Sequence, residues 1–181
     1  MNHPNTNRAG WLAGMNRKKL LLRSLGLLVA ALCLSPATAQ AAVYNFQLQG
    51  PNTAADADGN VIAMTGDGKF DTIRNTVKAS GAFTMYDSTG AVVSKGTWAG
   101  TEFVSFDAYG GVNRGFQTGL LHIEIALIPK GGGVITGLAM TVHCDADEVP
   151  GSVEADNEDG ITVGSYTQST GGFTLFQLIR P

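Results

Sequence analysis

From residue 43 onward, apolar and polar side chains trade places with a period of two. Tyr44, Phe46 and Leu48 interleave with Asn45, Gln47 and Gln49, the pattern of a strand with one buried face. Gly50-Pro51 ends this first strand, because proline cannot donate to a ladder, and residues 52–60 (NTAADADGN) are polar turn material. Residues 61–64 form a short apolar run that Thr65-Gly66-Asp67-Gly68 either bends or breaks before Lys69-Phe70. Glycines inside such runs mark bulges or corners.

Residues 76–110 set the grammar for the rest. Two apolar-rich runs flank the turn Asp87-Ser88-Thr89-Gly90, and a third, Phe103-Val104-Ser105-Phe106, follows Ala99-Gly100. Short Gly-bearing turns between alternating runs predict an antiparallel meander, with residues 91–98 as its middle strand. A Gly-rich link at 110–115 leads to residues 119–128 (GLLHIEIALI), the most strand-like segment in the chain. Pro129-Lys130-Gly131-Gly132-Gly133 predicts a hairpin turn into residues 134–144. After an acidic loop at 145–159, residues 160–166 and 172–179 read as the last strands.

The pattern predicts an all-β domain of about eight strands and no helix beyond position 41. The 21 glycines after that position (24 less Gly10, Gly14 and Gly26) suit strands bent sharply into a single antiparallel barrel, since mid-strand glycines supply corners and closure removes exposed edges. A β-sandwich is the alternative. In size and strand count the chain resembles small exported barrels of the calycin or allene oxide cyclase/dirigent kind. The likeness is one of architecture and implies no activity.

Residues 1–41 have a different composition. From Met15 the chain carries Arg17, Lys18 and Lys19, then a Leu/Ala-rich segment, then Ala37-Thr38-Ala39-Gln40-Ala41. A basic start, a short apolar run and an A-x-A site make a secretory signal peptide over 15–41. Arg23 interrupts the apolar run and Pro36 ends it, short of the ~20 residues of a membrane span. Residues 1–14 are an upstream extension that the signal does not need. Leu32 before Cys33 is too large for a lipoprotein site. The sequence therefore predicts export to the periplasm or the extracellular space, cleavage near Ala41, and no membrane insertion afterwards.

Cleavage there leaves 140 residues (181 − 41), enough for one domain, 42–181, with one core. Five of the 12 basic residues lie in the leader and all 15 acidic ones lie beyond it, so the net charge becomes 7 − 15 = −8. That balance excludes nucleic acid as a partner. A small molecule or another protein remains. Cys144 is the single cysteine beyond position 41, so no intrachain disulfide forms, and its register with Leu138, Met140 and Val142 predicts a buried thiol.

Candidate chemistry is sparse. Across the hairpin at 129–133, His122, Glu124, Thr141 and His143 share one face, opposite Leu121, Ile123, Ile125 and Leu127. If the apolar face points inward, the histidines are solvated surface, which is the expected outcome. If the polar face points inward, His122, Glu124 and His143 line a lumen for acid–base work, as in a small isomerase or cyclase, or for zinc. Thr141 and Trp98 are candidate ligand contacts, although Trp98 also suits a core or barrel-end plug. The loop at 145–159 holds seven carboxylates and no Lys or Arg. Asp145, Asp147, Glu148, Asp156 and Asp159 are its calcium candidates, and Asp56-Ala57-Asp58-Gly59-Asn60 is a second fragment of that chemistry; a solvated charged loop is the plainer expectation. No cofactor motif is present. The resulting reading is an exported, non-enzymatic binding or interaction module, with the small enzyme and a calcium-dependent surface protein as alternatives.

Overall fold

The computed structural model describes residues 42–112, 115–145 and 159–180. The expected signal, residues 15–41, and the upstream extension at 1–14 lie outside them. Eight strands follow in order: β1 (Val43–Ala55), β2 (Val61–Asp71), β3 (Thr76–Tyr86), β4 (Val92–Val112), β5 (Phe116–Pro129), β6 (Ile135–Cys144), β7 (Gly160–Val163) and β8 (Gln168–Arg180). All belong to one antiparallel sheet ordered β4-β3-β2-β1-β8-β5-β6-β7, and β4 also pairs with β5. Among the described residues there is no α-helix. The all-β expectation and the strand number are both met.

Two predicted breaks, and one site read as a bend or a break, lie within continuous strands. Gly50-Pro51 does not end β1. The ladder with β2 skips from Leu48 to Asn52, so these residues bulge out and pairing resumes. Gly50 takes the left-handed φ of 73° that the bulge requires. Asn52, fully buried, holds it in place by donating from Nδ2 to the carbonyls of Gly50 (3.4 Å) and Phe173 (3.3 Å). The second site concerns residues 65–68, read as a bend or a break, where β2 runs on with unbroken pairing to β3 from Val61 to Asp71. The third concerns Ala99-Gly100. The predicted middle and third strands of the meander are one 21-residue strand, β4. It bends at register shifts between Gly100 and Glu102, Phe103 and Ser105, and Ala108 and Gly110.

The predicted turns hold. Gly90 (φ 85°) closes the β3–β4 hairpin, donating to the Asp87 carbonyl at 2.9 Å. Gly132 and Gly133 (φ 95° and 82°) do the same for β5–β6.

The core lies against one face of the sheet. Leu121, Ile123, Ile125 and Leu127 of β5 meet Met140, Val142 and Cys144 of β6 and Ile161 and Val163 of β7, the apolar face the alternation predicted. Aromatic rings fill the other end. Phe70 stacks on Tyr44 (5.1 Å) and Phe103 (5.7 Å), and Phe176 meets Phe106 edge-on at 5.1 Å. Such pairs add about 0.5–1.5 kcal/mol each beyond the area they bury.

Trp98 anchors the middle. It is 1% exposed and its indole N–H donates to the Thr65 carbonyl at 2.9 Å. Its cross-strand neighbours in register are Gly81 and, one strand further, Gly66. A Cβ on Gly81 would sit 1.8 Å from Thr65 O and 2.5 Å from Trp98 Nε1, so the indole occupies space that only glycine leaves free. Trp98 is therefore part of the core.

Gly81→Ala should expel the indole and destabilise the fold by roughly 2 kcal/mol or more, as overpacking does. Trp98 is the single tryptophan beyond position 41, so its fluorescence reads the change directly. A native emission spectrum and an unchanged melting temperature in the variant would contradict this account.

Candidate functional site

The β5–β6 hairpin and β7 carry a polar row on the face turned away from the core. Ser105 of β4 is opposite His122 of β5, His122 is opposite Thr141 of β6, and Thr141 is opposite Thr162 of β7. Imidazole and hydroxyl meet directly, with His122 Nδ1 3.1 Å from Thr141 Oγ1. The adjacent row runs Leu120, His143, Gly160.

His143 departs from expectation. It lies on the outer face, as the inward apolar side requires, yet it is only 5% exposed rather than solvated. Tyr109, from the far end of β4, sets its ring edge-on to the imidazole at 5.9 Å. Burial raises the Tyr109 hydroxyl above its ordinary value, with smaller contributions from Asp107 and Asp145. On the other side the buried Thr174 hydroxyl of β8 donates to the His143 carbonyl. Among the described residues, His143 Nδ1 itself is buried without a hydrogen-bond partner. A buried polar group in that state costs about 1–3 kcal/mol.

The two histidines face a cleft of about 610 Å³. Its walls from the sheet are His122, Thr141, His143 and Thr162, with Leu120 and Ile161 as apolar patches. Thr167, Gln168 and Ser169 close the opposite side; the Ser169 hydroxyl donates to the Asp159 carbonyl at 3.3 Å. Among the described residues the lining carries no Lys, Arg, Asp or Glu. Its chemistry is that of hydroxyls, one amide and two imidazoles, suited to hydrogen-bonding a small polar molecule.

Glu124 stands apart. Its register neighbours are Glu102 and Ala139, and it does not line the cleft. Among the described residues no three His, Cys, Asp or Glu side chains come together to hold a metal ion, so His122, Glu124 and His143 do not assemble as a zinc set there. Of the calcium candidates, Asp147, Glu148 and Asp156 lie outside the described residues. Asp159 accepts the Asp145 backbone N–H on Oδ1. Asp56 is committed to its own turn: its carboxylate takes the N–H groups of Asp58 and Asn60 and the Asn60 amide, each at 2.9 Å. Those bonds, led by the Asn60 side chain, hold its pKa below the ordinary value.

Pattern reading found His122, Thr141 and His143 but missed Thr162, Thr167, Gln168 and Ser169. Thr162 carried a signal, since continuing the alternation across β6–β7 sets it beside Thr141. Gln168 and Ser169 carried none, because they reach the cleft from β8.

Cys144 points the other way, into the core. Burial first, then the charge of Asp159, pushes its thiol up to about 11, partly offset by the Thr174 hydroxyl and the Phe176 N–H. Compared with known proteins, the chain matches no family model, no curated protein and no solved structure.

The thiol gives a test. Below the ordinary value of 9.0 it is neutral in folded and unfolded chains alike; between 9.0 and about 11 only the unfolded chain ionises. The folded-state pKa is raised, so its contribution is complete below pH 9 and is lost as pH rises towards 11. The expected loss is on the order of 2 kcal/mol. Denaturant melts of wild type and Cys144→Ala at matched pH isolate it: the gap between them should narrow over that window. Parallel pH curves would show the thiol to be exposed.

Proposed function

We propose that residues 42–181 form an exported, non-enzymatic binding module that holds a small polar molecule in the cleft of His122, Thr141, His143 and Thr162. One observation carries this reading: His143 is nine-tenths buried at the cleft wall and its Nδ1 has no hydrogen-bond partner among the described residues. A ligand hydroxyl, carbonyl or amide beside it would satisfy that atom and recover its desolvation cost. Export rests on the signal-like residues 15–41. The strand pairings run β1-β2-β3-β4-β5-β8 and back to β1, which supports a barrel with β6 and β7 attached in preference to a sandwich. The enzyme alternative is less favoured, because Glu124, the carboxylate on which it rests, lies outside the cleft lining.

Native mass spectrometry of the protein purified from an exporting host tests the reading. A bound small molecule is expected, and His122→Ala or Thr141→Val should reduce its occupancy at least tenfold while the fold melts within a few degrees of wild type. An adduct equally abundant in both variants, or none in wild type, would refute the assignment.

A further inference from the structure

A second concavity lies on a different part of the outer face, remote in register from the histidine cleft. A continuous row crosses five strands: Lys78 of β3, Lys69 of β2, Asn45 of β1, Gln177 of β8 and Phe116 of β5, each directly opposite the next. These five residues line a groove of about 420 Å³, together with Gln47, Asp67 and Leu175 from the adjacent row. The volume falls within the ~300–1,000 Å³ range of small-molecule sites.

The lysines are the anomaly. Only seven basic residues lie beyond position 41, against 15 acidic ones, yet two of the seven stand directly opposite each other. Like charges so placed destabilise a sheet. Among the described residues neither lysine has an ion-pair partner, the one salt bridge being Arg74–Asp71. Packing offers no compensation, since both are exposed. The Asn45 and Gln177 carboxamides beside them make no hydrogen bond within the described residues, leaving donors and acceptors free on the same line. Phe116 ends the row as a half-buried apolar wall.

We propose that this groove binds a short acidic oligosaccharide, its uronate carboxylate held by Lys69 and Lys78. The intervening carboxamides and Asp67 take sugar hydroxyls, which need donors and acceptors together. Phe116 offers a ring face to the C–H side of a pyranose. A point anion such as sulfate fits less well. From Lys69 to Phe116 the row spans three strand spacings, about 14 Å, and its far end is apolar. Nucleic acid is disfavoured by the −8 charge beyond position 41.

The test is an NMR titration of the protein purified from an exporting host with three probes: a linear galacturonate trimer, maltotriose and sodium sulfate. Saturable binding is expected for the galacturonate trimer alone, with the largest amide shifts at Lys69, Lys78 and Phe116. The double variant Lys69→Gln, Lys78→Gln should bind it at least tenfold more weakly, and should melt at or above the wild-type temperature because the repulsion is gone. Phe116→Leu should weaken it while leaving both lysines in place. Equal binding of sulfate would reduce the site to bare charge and overturn the proposal. So would no saturable binding, an unaffected double variant, or shifts centred on His122 and Thr141. His122→Ala should leave galacturonate binding unchanged, so this groove and the histidine cleft stand or fall separately.

Discussion

The sheet turns on one indole. Trp98 lies over Gly81, with Gly66 beyond it in the same register line, and its N–H is held by the Thr65 carbonyl at 2.9 Å. Without the two glycines the ring would meet Cβ atoms at under 3.0 Å; without the ring the glycines would leave a void, costly in a close-packed interior. Glycines weaken strands by adding unfolded-state entropy, so β2 and β3 are stable here because one large side chain from β4 supplies the packing their own residues lack. Gly68 repeats the device, with Phe46 as the covering ring: a Cβ there would meet Phe46 Cε1 at 2.5 Å. Aromatic cover of mid-strand glycine lets strands curve and stay packed. The aromatic cluster of Tyr44, Phe70, Phe103, Phe106 and Phe176 belongs to the same core.

That interdependence explains what could be read from the pattern and what could not. Alternation found every strand, because burial on one face imposes a period of two regardless of partners. It misplaced joints. Gly50-Pro51, Gly66 and Ala99-Gly100 resemble strand ends locally, since glycine and proline mark ends and bulges alike. The decision is made across the ladder: Asn52 clasps the β1 bulge to Gly50 and Phe173, and the indole of Trp98 covers Gly66. The site was half legible for a related reason. A tight turn at 129–133 transmits register, so His122 and Thr141 could be paired from sequence. The acidic stretch at 145–159 is too long to transmit register, so alternation gave Thr162 a face but not its partner. The burial of His143 depends on Tyr109 in β4, and no local pattern around residue 143 encodes it.

The interior is spent on stability. Trp98, the aromatic cluster and the aliphatic face of β5–β7 are packed together, and Cys144 sits among them as a protonated thiol. Among the described residues there is no disulfide to add, and a small domain without such staples needs its apolar face for the core. The two proposed binding sites therefore lie on the outer face, where side chains from successive strands line up in rows across the sheet. Both concavities are built this way. One row is uncharged and ends against a buried imidazole; the other pairs two lysines and ends against a ring.

The cleft exists because β5 has more partners than a strand has edges. Along one edge it follows β4; along the other it pairs with β8 at Phe116 and Gln117, then with β6 from Gly119 onward. The exchange happens at Thr118 and Gly119. Thr118 is fully buried and bonds its hydroxyl to the Gly110 carbonyl at 3.3 Å. A Cβ on Gly119 would lie 2.5 Å from Asp107 O and 2.9 Å from the Phe106 ring, so the strand can change partners there only with glycine. Past that point β6 and β7 depart from the path of β8, and Thr174 ties them back through the His143 carbonyl. His143 is thus held at the fork by its backbone, while Gln168 and Ser169, at the start of β8, form the facing wall. A branch in the hydrogen-bond ladder has opened a polar cleft, and the same tie that steadies the branch keeps the imidazole buried at its edge.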